Sequence, residues 1–485
     1  MLNHSDTTHA RYDINAPGYW DERSLETELS RVYDICVGCR LCWNLCPSFP
    51  ALFDAMDAQG QRKRDAAQAA GKVGAAQARA DYLDLPEGEH TAQASVESEF
   101  VGDVDQLTAK ERWDVVDLCY QCKLCDPICP YTPDKEHHFA LDFPRLMLRA
   151  QAVRTKKRGR IKAADKFLSN TDFTGWLGAR FGWAINLANR IGIARWFMEK
   201  ILGIARKRQL PAFARTPFKK WFDRYPLEQA TGAKHKAALF VTCYTDANDP
   251  IVAQAAVKIL EHNGVEVVVP PQQCCGAPYL SPGDFDGFKK QATPNVLEMS
   301  KWIDKGYTVV VTGPPTCSLT LRDDTVYLKD GKNSALAAMV DKVAANTKDI
   351  SQFLMEMHKA GDLKTDFGQS LGTISYHLSC HLKAQRIGYK SRDLLKLVPD
   401  TQITVVDKCS GMDGGWGMKA EFFEASMAVA DKLVKKIENS PAEHTCSDCT
   451  LAGLQIAQAS DGRLQPDHPV VLLAQAYGLL ENGKG

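Results

Sequence analysis

The sequence predicts a multi-domain α+β protein, a helical N-terminal part built on a repeated cysteine motif followed by an α/β part that is itself duplicated. Three observations carry this. The pattern D-[I/L]-C-x2-C-[R/K]-L-C-x3-C-P stands at residues 34–47 and again 83 residues later at 117–130. From about Ala237 short apolar runs alternate with helical stretches, the rhythm of βα units on a parallel sheet. Cysteines recur after those runs in two similar series.

Three cysteines at three-residue steps can wrap one face of an iron–sulfur cube from a tight loop. A fourth, followed by proline, is sent to the other cube, as in bacterial two-cluster ferredoxins. On that pattern Cys36, Cys39, Cys42 and Cys129 hold one [4Fe–4S] cluster, and Cys119, Cys122, Cys125 and Cys46 hold the other. A structural zinc site is the plainer alternative, but it leaves the third and fourth cysteines and the C-P step without a purpose.

The bulk numbers narrow the class. A chain of 485 residues has length for two to four domains, each able to bury a core. Formal net charge is zero, so no overall field argues for nucleic acid. The opening M-L-N-H-S-D-T-T-H-A-R-Y-D lacks the apolar core of an export signal, and no run approaches the ~20 apolar residues of a membrane span. Without an export signal, 16 cysteines argue for metal ligation over disulfides and for a cytoplasmic location, with peripheral contact at the inner membrane face as an added reading. There is no G-x-G-x-x-G unit for NAD or FAD, no nucleophile elbow and no paired catalytic carboxylates, so electrons are expected from another polypeptide.

In chain order, residues 1–148 form the two-cluster domain, with an insert at 52–105. Leu25, Leu29 and Val32 mark one face of a helix delivering Cys36, with Ser24 as candidate N-cap and Glu26 in its first turn. Thr108 with Glu111 makes a capping box for the helix before Cys119, where Trp113, Val116 and Cys119 form a looser stripe. The insert is rich in Ala, Gln and Glu, holds two weakly amphipathic patches, and reads as a surface excursion. His137 and His138 read as exposed or capping residues, and Pro144 suits the first turn of a helix.

Residues 149–232 form a basic, aromatic helical linker. Between 149 and 222 it holds 18 Lys and Arg against 3 acidic residues, interleaved with Trp176, Phe181, Trp183, Trp196, Phe197, Phe213, Phe218, Trp221 and Phe222. Such a stretch lies in a membrane interface, docks on a partner, or packs on its own domain with its charges solvated.

Residues 233–365 and 366–485 are the α/β halves. Strands are expected at 237–241, 265–269, 308–311, 373–376 and 403–406, with a helix at 249–262 stopped by Gly264. The first half carries Cys243, Cys274, Cys275 and Cys317, the second Cys380, Cys409, Cys446 and Cys449, so all 16 cysteines fall into sets of four. Strand ends are where an open α/β sheet places ligands, and Gly276, Gly411, Gly414, Gly415 and Gly417 would let backbone approach a bulky group. His377 and His381 flank Cys380, where hydrogen bonding to the loop is favoured over ligation. Trp43 and Trp416 stand where they could screen clusters or simply pack.

The segments C-Y-T-D-A-N-D-P, Q-C-C-G-A-P, P-P-T-C-S-L-T-L-R-D-D, Y-H-L-S-C-H-L and C-S-G-M-D-G-G-W-G resemble the cysteine-rich CCG domain. That domain occurs twice in one polypeptide of heterodisulfide reductase. It follows a two-cluster ferredoxin domain in the iron–sulfur subunits of glycolate oxidase and anaerobic glycerol-3-phosphate dehydrogenase. C-P-Y-T-P…F-A-L-D-F-P-R-L-M-L-R-A and L-P-A-F-A-R-T-P-F-K-K-W-F strengthen the likeness to the last. The resemblance implies a non-catalytic electron-transfer subunit that holds one or two further iron–sulfur clusters in its CCG domains and no FAD or NAD. Its expected partners are a flavoprotein dehydrogenase of glycerol-3-phosphate, glycolate or lactate type and the quinone pool or another acceptor. The alternative it implies is a thiol–disulfide oxidoreductase with a catalytic cluster. Thr320 and Ser410 stand where the full CCG pattern has cysteines, which weakens that alternative and implies ordinary four-cysteine clusters or one incomplete site.

Overall fold

The computed structural model describes residues 12–70, 102–228 and 232–480. Their packing separates into two compact units, Asp21–Cys119, and Met1–Trp20 with Tyr120–Gly485. Compactness therefore cuts the chain between Cys119 and Tyr120, inside the second cysteine motif, whereas the repeat pattern sets its boundary at 148.

The smaller unit is helical. Helix α1 (Glu22–Cys39) buries Leu25, Leu29, Val32, Tyr33 and Val37 on one face. Its cap is not Ser24: Asp21 is extended and its side chain accepts from the Ser24 amide at 2.7 Å, which places Ser24 in the first turn. A charged Asp both satisfies the free amide and complements the positive helix end. Helix α2 (Ser48–Ala69) buries Phe49, Leu52, Phe53 and Met56 and takes up the first part of the expected insert; residues 71–101 lie outside the described residues. Helix α3 (Ala109–Asp117) opens with the expected capping box, Thr108 Oγ1 accepting from the Glu111 amide at 3.2 Å and the Glu111 carboxylate accepting from the Thr108 amide at 2.8 Å. The Ser48 hydroxyl donates to the Val115 carbonyl at 2.6 Å and ties α2 to α3.

In the larger unit, α4 (Phe143–Arg158) is buried along most of its length and carries Pro144 in its first turn, capped by Asp142. Then come α5 (Ala163–Ser169), α6 (Thr171–Ala188), α7 (Gly192–Leu202) and α8 (Phe218–Phe222). Helix α6 is held from its inner side. A Cβ on Gly178 would fall 2.0 Å from the Phe213 ring, and Asn186 and Phe213 exchange two hydrogen bonds of 2.9 Å.

The α/β part has two all-parallel sheets. Strands β1 (Lys236–Val241), β2 (Glu266–Val268), β3 (Thr308–Thr312) and β4 (Thr347–Asp349) lie in the order β2-β1-β3-β4. Strands β5 (Thr373–His377), β6 (Gln402–Val406) and β7 (His444–Ser447) lie in the order β6-β5-β7. Each half thus places its first strand between its second and third, so the duplication extends to topology. The five expected strands form within a residue or two of their expected ends. β4 (T-K-D) and β7 (H-T-C-S) are additional, too short and polar to announce themselves by hydrophobicity. The expected helix forms at Pro250–His262, with Gly264 beyond it at φ +68°. The halves share one apolar core, in which Leu239, Val257 and Val310 of the first meet Ile374, Tyr376 and Leu472 of the second.

Thr108→Ala removes the side-chain half of the capping box and is expected to cost about 1 kcal/mol, read as a lower urea midpoint for α3's unit.

Candidate metal centres

In the α/β halves, cysteines stand where a strand turns into a helix. Cys243 follows β1 and opens α9 (Cys243–Ala247), whose cap is Thr242. Cys317 lies in the first turn of α10 (Pro315–Arg322) after β3. Cys380 opens α11 (Cys380–Ala384) after β5. Cys449 is the N-cap residue of α12 (Thr450–Ala459) after β7. Helix starts carry partial positive charge, so this placement suits thiolates and an anionic group held by them.

The Cys-Cys turn of the first half is pinned from behind. Asn295, fully buried, accepts from the Gln273 amide at 2.8 Å and donates to the Cys274 carbonyl at 2.9 Å. Asp172 of α6 accepts from the Cys274 amide at 3.1 Å. Hydrogen bonds from Cys243 and Cys275 hold the Cys274 thiol well below the ordinary thiol range, while the same bonds push Cys243 and Cys275 up. Cys275 also bonds Cys317, so the four expected sulfurs of this half form one contiguous group.

The second half differs. Cys409 is buried, with its sulfur 3.1 Å from the Tyr120 hydroxyl and 3.3 Å from the Gly411 amide. A hydrogen bond from Cys122, joined by those from Tyr120 and Gly411, holds its thiol at about 7 in spite of burial. Burial pushes Cys380 up, with Cys409 and Cys449 as its charged neighbours, and pushes Cys449 up to about 11. Cys446 stands apart. It lies inside β7, fully buried in the shared apolar core, and burial followed by Asp448 and Asp467 pushes its thiol up. The structure therefore brings Cys380, Cys409 and Cys449 into one neighbourhood and leaves Cys446 in the sheet.

The loop carrying Cys122, Cys125 and Cys129 is clamped onto the α/β body. Lys123 reaches Asp324 at 2.7 Å and Asp323 at 3.2 Å, and Arg145 reaches Asp323 at 2.8 Å, all well shielded from solvent. Arg386 pairs with Asp126 at 2.8 Å and with Asp134. His381 bridges Thr316 Oγ1 at 2.8 Å and the Gln121 carbonyl at 2.9 Å, and His377 bridges Ser447 Oγ at 2.8 Å and the Lys408 carbonyl at 2.9 Å. Both histidines spend their ring nitrogens on loops, as favoured from the sequence, and burial drives His377 down to about 4, leaving it neutral. His137 accepts from the Phe139 amide at 3.2 Å, a local cap.

A cavity of about 340 Å³ lies between these parts, lined by Cys122, Cys243, Cys274, Cys275, Cys317, Cys380 and Cys449. Its remaining wall is mostly apolar and includes Phe167, Ile185, Met198 and Phe213 from the linker. Sulfurs from several chain segments around one dry space, facing helix starts and amide N–H groups, fit an iron–sulfur cofactor. Among the described residues no three His, Cys, Asp or Glu side chains form a group suited to a single metal ion. In the smaller unit the buried Tyr33 borders both Cys36 and Cys119, so the first cysteines of the two motif copies share a neighbour.

Three expectations change in detail. The Thr320 hydroxyl is spent inside α10, on the Thr316 carbonyl at 2.8 Å, and so does not face the sulfurs. The glycines at 276, 411 and 417 admit protein rather than a cofactor: a Cβ there would stand 2.8 Å from Phe288, 2.7 Å from the Ser426 carbonyl and 3.0 Å from Met412. Gly276 and Gly411 also have positive φ, which explains the residue type without a ligand. Trp416 is buried between Tyr120 and Phe422, with ring centres at 4.6 Å and 5.0 Å, and Trp43 stacks on Phe53 at 5.4 Å. Sequence reasoning missed Tyr120, whose signal was Tyr in one motif copy against Val37 in the other.

Residues 237–322 and 374–456 each match the family model of the CCG "Cysteine-rich domain". The chain is similar to an iron–sulfur relative named for anaerobic glycerol-3-phosphate dehydrogenase, one of that enzyme's subunits in Escherichia coli K12. The two are 29% identical over 318 residues, covering 64% of this chain and 76% of the relative. It is 31% identical over 215 residues to "Lactate utilization protein A" of an Exiguobacterium species, covering 42% of this chain and 82% of the relative. With a subunit of the fumarate reductase (CoM/CoB) of Methanothermobacter marburgensis it shares 27% identity over 222 residues, 44% of this chain and 41% of the relative.

Gly411→Ala, strained by its φ of +69° and the Ser426 carbonyl, is expected to destabilise the chain by about 1–3 kcal/mol. Gly414→Ala, whose Cβ would meet its nearest atom at 3.5 Å, is expected to leave the thermal midpoint in place.

Proposed function

The chain belongs to the family of iron–sulfur proteins with paired cysteine-rich CCG domains, and on that premise we propose that it carries electrons between a flavin-dependent dehydrogenase and the quinone pool. The observation that carries this reading is the gathering of cysteines around one cavity: Cys122 of the N-terminal motif pair stands with cysteines of both α/β halves. Metal sites gathered this way suit conduction. Iron–sulfur clusters would supply one-electron chemistry at potentials set by charge, exposure and hydrogen bonds to sulfur.

The residues take distinct parts in this reading. Cys36, Cys39, Cys42 and Cys129 hold one [4Fe–4S] cluster, and Cys119, Cys122, Cys125 and Cys46 the second. Cys243, Cys274, Cys275 and Cys317 hold a third. In the second half Cys380, Cys409 and Cys449 form an incomplete set, and Cys446 serves the core of the sheet. The helix starts at Cys243 and Cys380 stabilise negative charge, and the apolar wall excludes water. A dehydrogenase partner is supported by the relatives, two of which are named as dehydrogenase or reductase subunits.

Membrane contact through 149–222 belongs to the same proposal. Trp183, Ile193 and Ile201 are 75%, 67% and 71% exposed on α6 and α7, beside Phe173, Trp176, Trp196 and Phe197. Large apolar side chains gathered on amphipathic helices of a basic segment suit an anionic bilayer surface. Among the described residues no helix is long and apolar enough to cross a membrane.

The reading is tested by anaerobic purification with iron and sulfide analysis. Three full cubes give about twelve irons per chain, plus whatever the incomplete set holds, and Cys446→Ala leaves the count unchanged. A count of about eight, unmoved by Cys274→Ala, would sink the α/β assignment. In a vesicle flotation assay the chain is expected to bind anionic vesicles, and Trp183→Ser with Ile201→Ser is expected to lower the bound fraction at unchanged iron content.

A further inference from the structure

We propose that Tyr120 sets the reduction potential of the cluster that Cys409 helps to hold, and that it forms the junction between the second N-terminal motif and the second α/β half. This rests on the reading of Cys409 as a cluster ligand and goes beyond it.

The two motif copies agree at every cysteine but differ between the first two, C-V-G-C against C-Y-Q-C. Cluster binding therefore does not require a hydroxyl or an aromatic ring at that place, and Val37 shows the position filled by an aliphatic residue. Tyr120 is nevertheless only 2% exposed, with its hydroxyl 3.1 Å from Cys409 Sγ. A buried phenol hydroxyl needs a partner, and one of its partners here is a sulfur. When Cys409 is a thiolate, the O–H donates and the sulfur accepts.

The geometry is held from several sides. The ring packs on Trp416, centre to centre 4.6 Å. Gln121, the next residue, has φ +55° and accepts from His381 Nε2 at 2.9 Å, while the Thr316 hydroxyl donates to Nδ1 at 2.8 Å. Lys123 is fixed by Asp323 and Asp324. The Gly411 amide, 3.3 Å away, gives Cys409 a second donor, and Ser426 Oγ holds the Gly411 carbonyl at 2.7 Å. Tyr120 is thus placed by the fold, and its hydroxyl is delivered to a sulfur of the neighbouring set.

Two consequences follow. A donor to a ligand sulfur stabilises the more negative, reduced form and so raises the potential. The same residue is bonded through the backbone to the Cys119–Cys122 segment, so this side chain couples the loop to the second half. Within the larger unit it is the second half that the loop reaches in this way, through Tyr120 and through the Cys122–Cys409 sulfur contact.

The test uses the full chain carrying Tyr120→Phe, which keeps the ring and its stacking and removes only the O–H. Iron and sulfide are assayed, and the clusters are titrated potentiometrically with detection by electron paramagnetic resonance. The expected result is unchanged iron, one cluster with a lowered midpoint, and the others unmoved. Unmoved midpoints throughout overturn the proposal, and so does loss of iron, which would make Tyr120 an assembly residue. Cys409→Ala separates this from the reading beneath it. Loss of iron there with unmoved midpoints in Tyr120→Phe rejects the tuning role alone. Full iron in Cys409→Ala rejects the ligand reading, and the tuning role falls with it.

Discussion

The buried ion cluster of Lys123, Arg145, Asp142, Asp323 and Asp324 is the constraint on which the rest of the larger unit depends. It joins the residue after Cys122 to the end of α10, the helix that carries Cys317. Coulomb attraction grows as water is excluded, but so does the cost of stripping solvent from each ion. Here each cation has two acidic partners, which raises both Lys123 and Arg145 above their ordinary values, while burial lifts Asp142 to about 6. A pairing of this kind adds little stability over an apolar contact, yet it tolerates no other register. It fixes where a cysteine loop meets an α/β body, and with it the position of Tyr120.

Around that anchor the two α/β halves use one local device. A parallel strand ends, a cysteine follows, and a helix starts, so the sulfur sits where free amides and the helix dipole favour negative charge. The halves then diverge. The first keeps its four sulfurs contiguous beside Asp172 and Asn295. The second turns Cys446 into a strand residue and brings Cys409 against the loop. Duplication supplied two similar frames, and packing against different neighbours made them unequal.

The linker closes the cavity from outside. Helix α6 contributes Asp172 to the Cys274 turn and Ile185 to the cavity wall, while Phe173, Trp176 and Trp183 of the same helix face solvent. A helix that is apolar on two faces cannot satisfy both by packing on one domain. The surplus face is what gives the linker its reading as a surface for a bilayer.

By itself the sequence determined the duplicated parallel α/β architecture, the repeated cysteine motif, the capping box at Thr108 and the loop-bonded roles of His377 and His381. Periodicity, cap chemistry and cysteine spacing are local, so they are legible in a string. Tertiary structure alone decided that the chain divides at Cys119, that Asp21 rather than Ser24 caps α1, that Thr320 turns into its own helix, and that Cys446 is buried in a sheet. It also brought Tyr120 to Cys409, 289 residues away. Such facts depend on which surfaces meet across the fold, and no residue's neighbours in sequence carry that information.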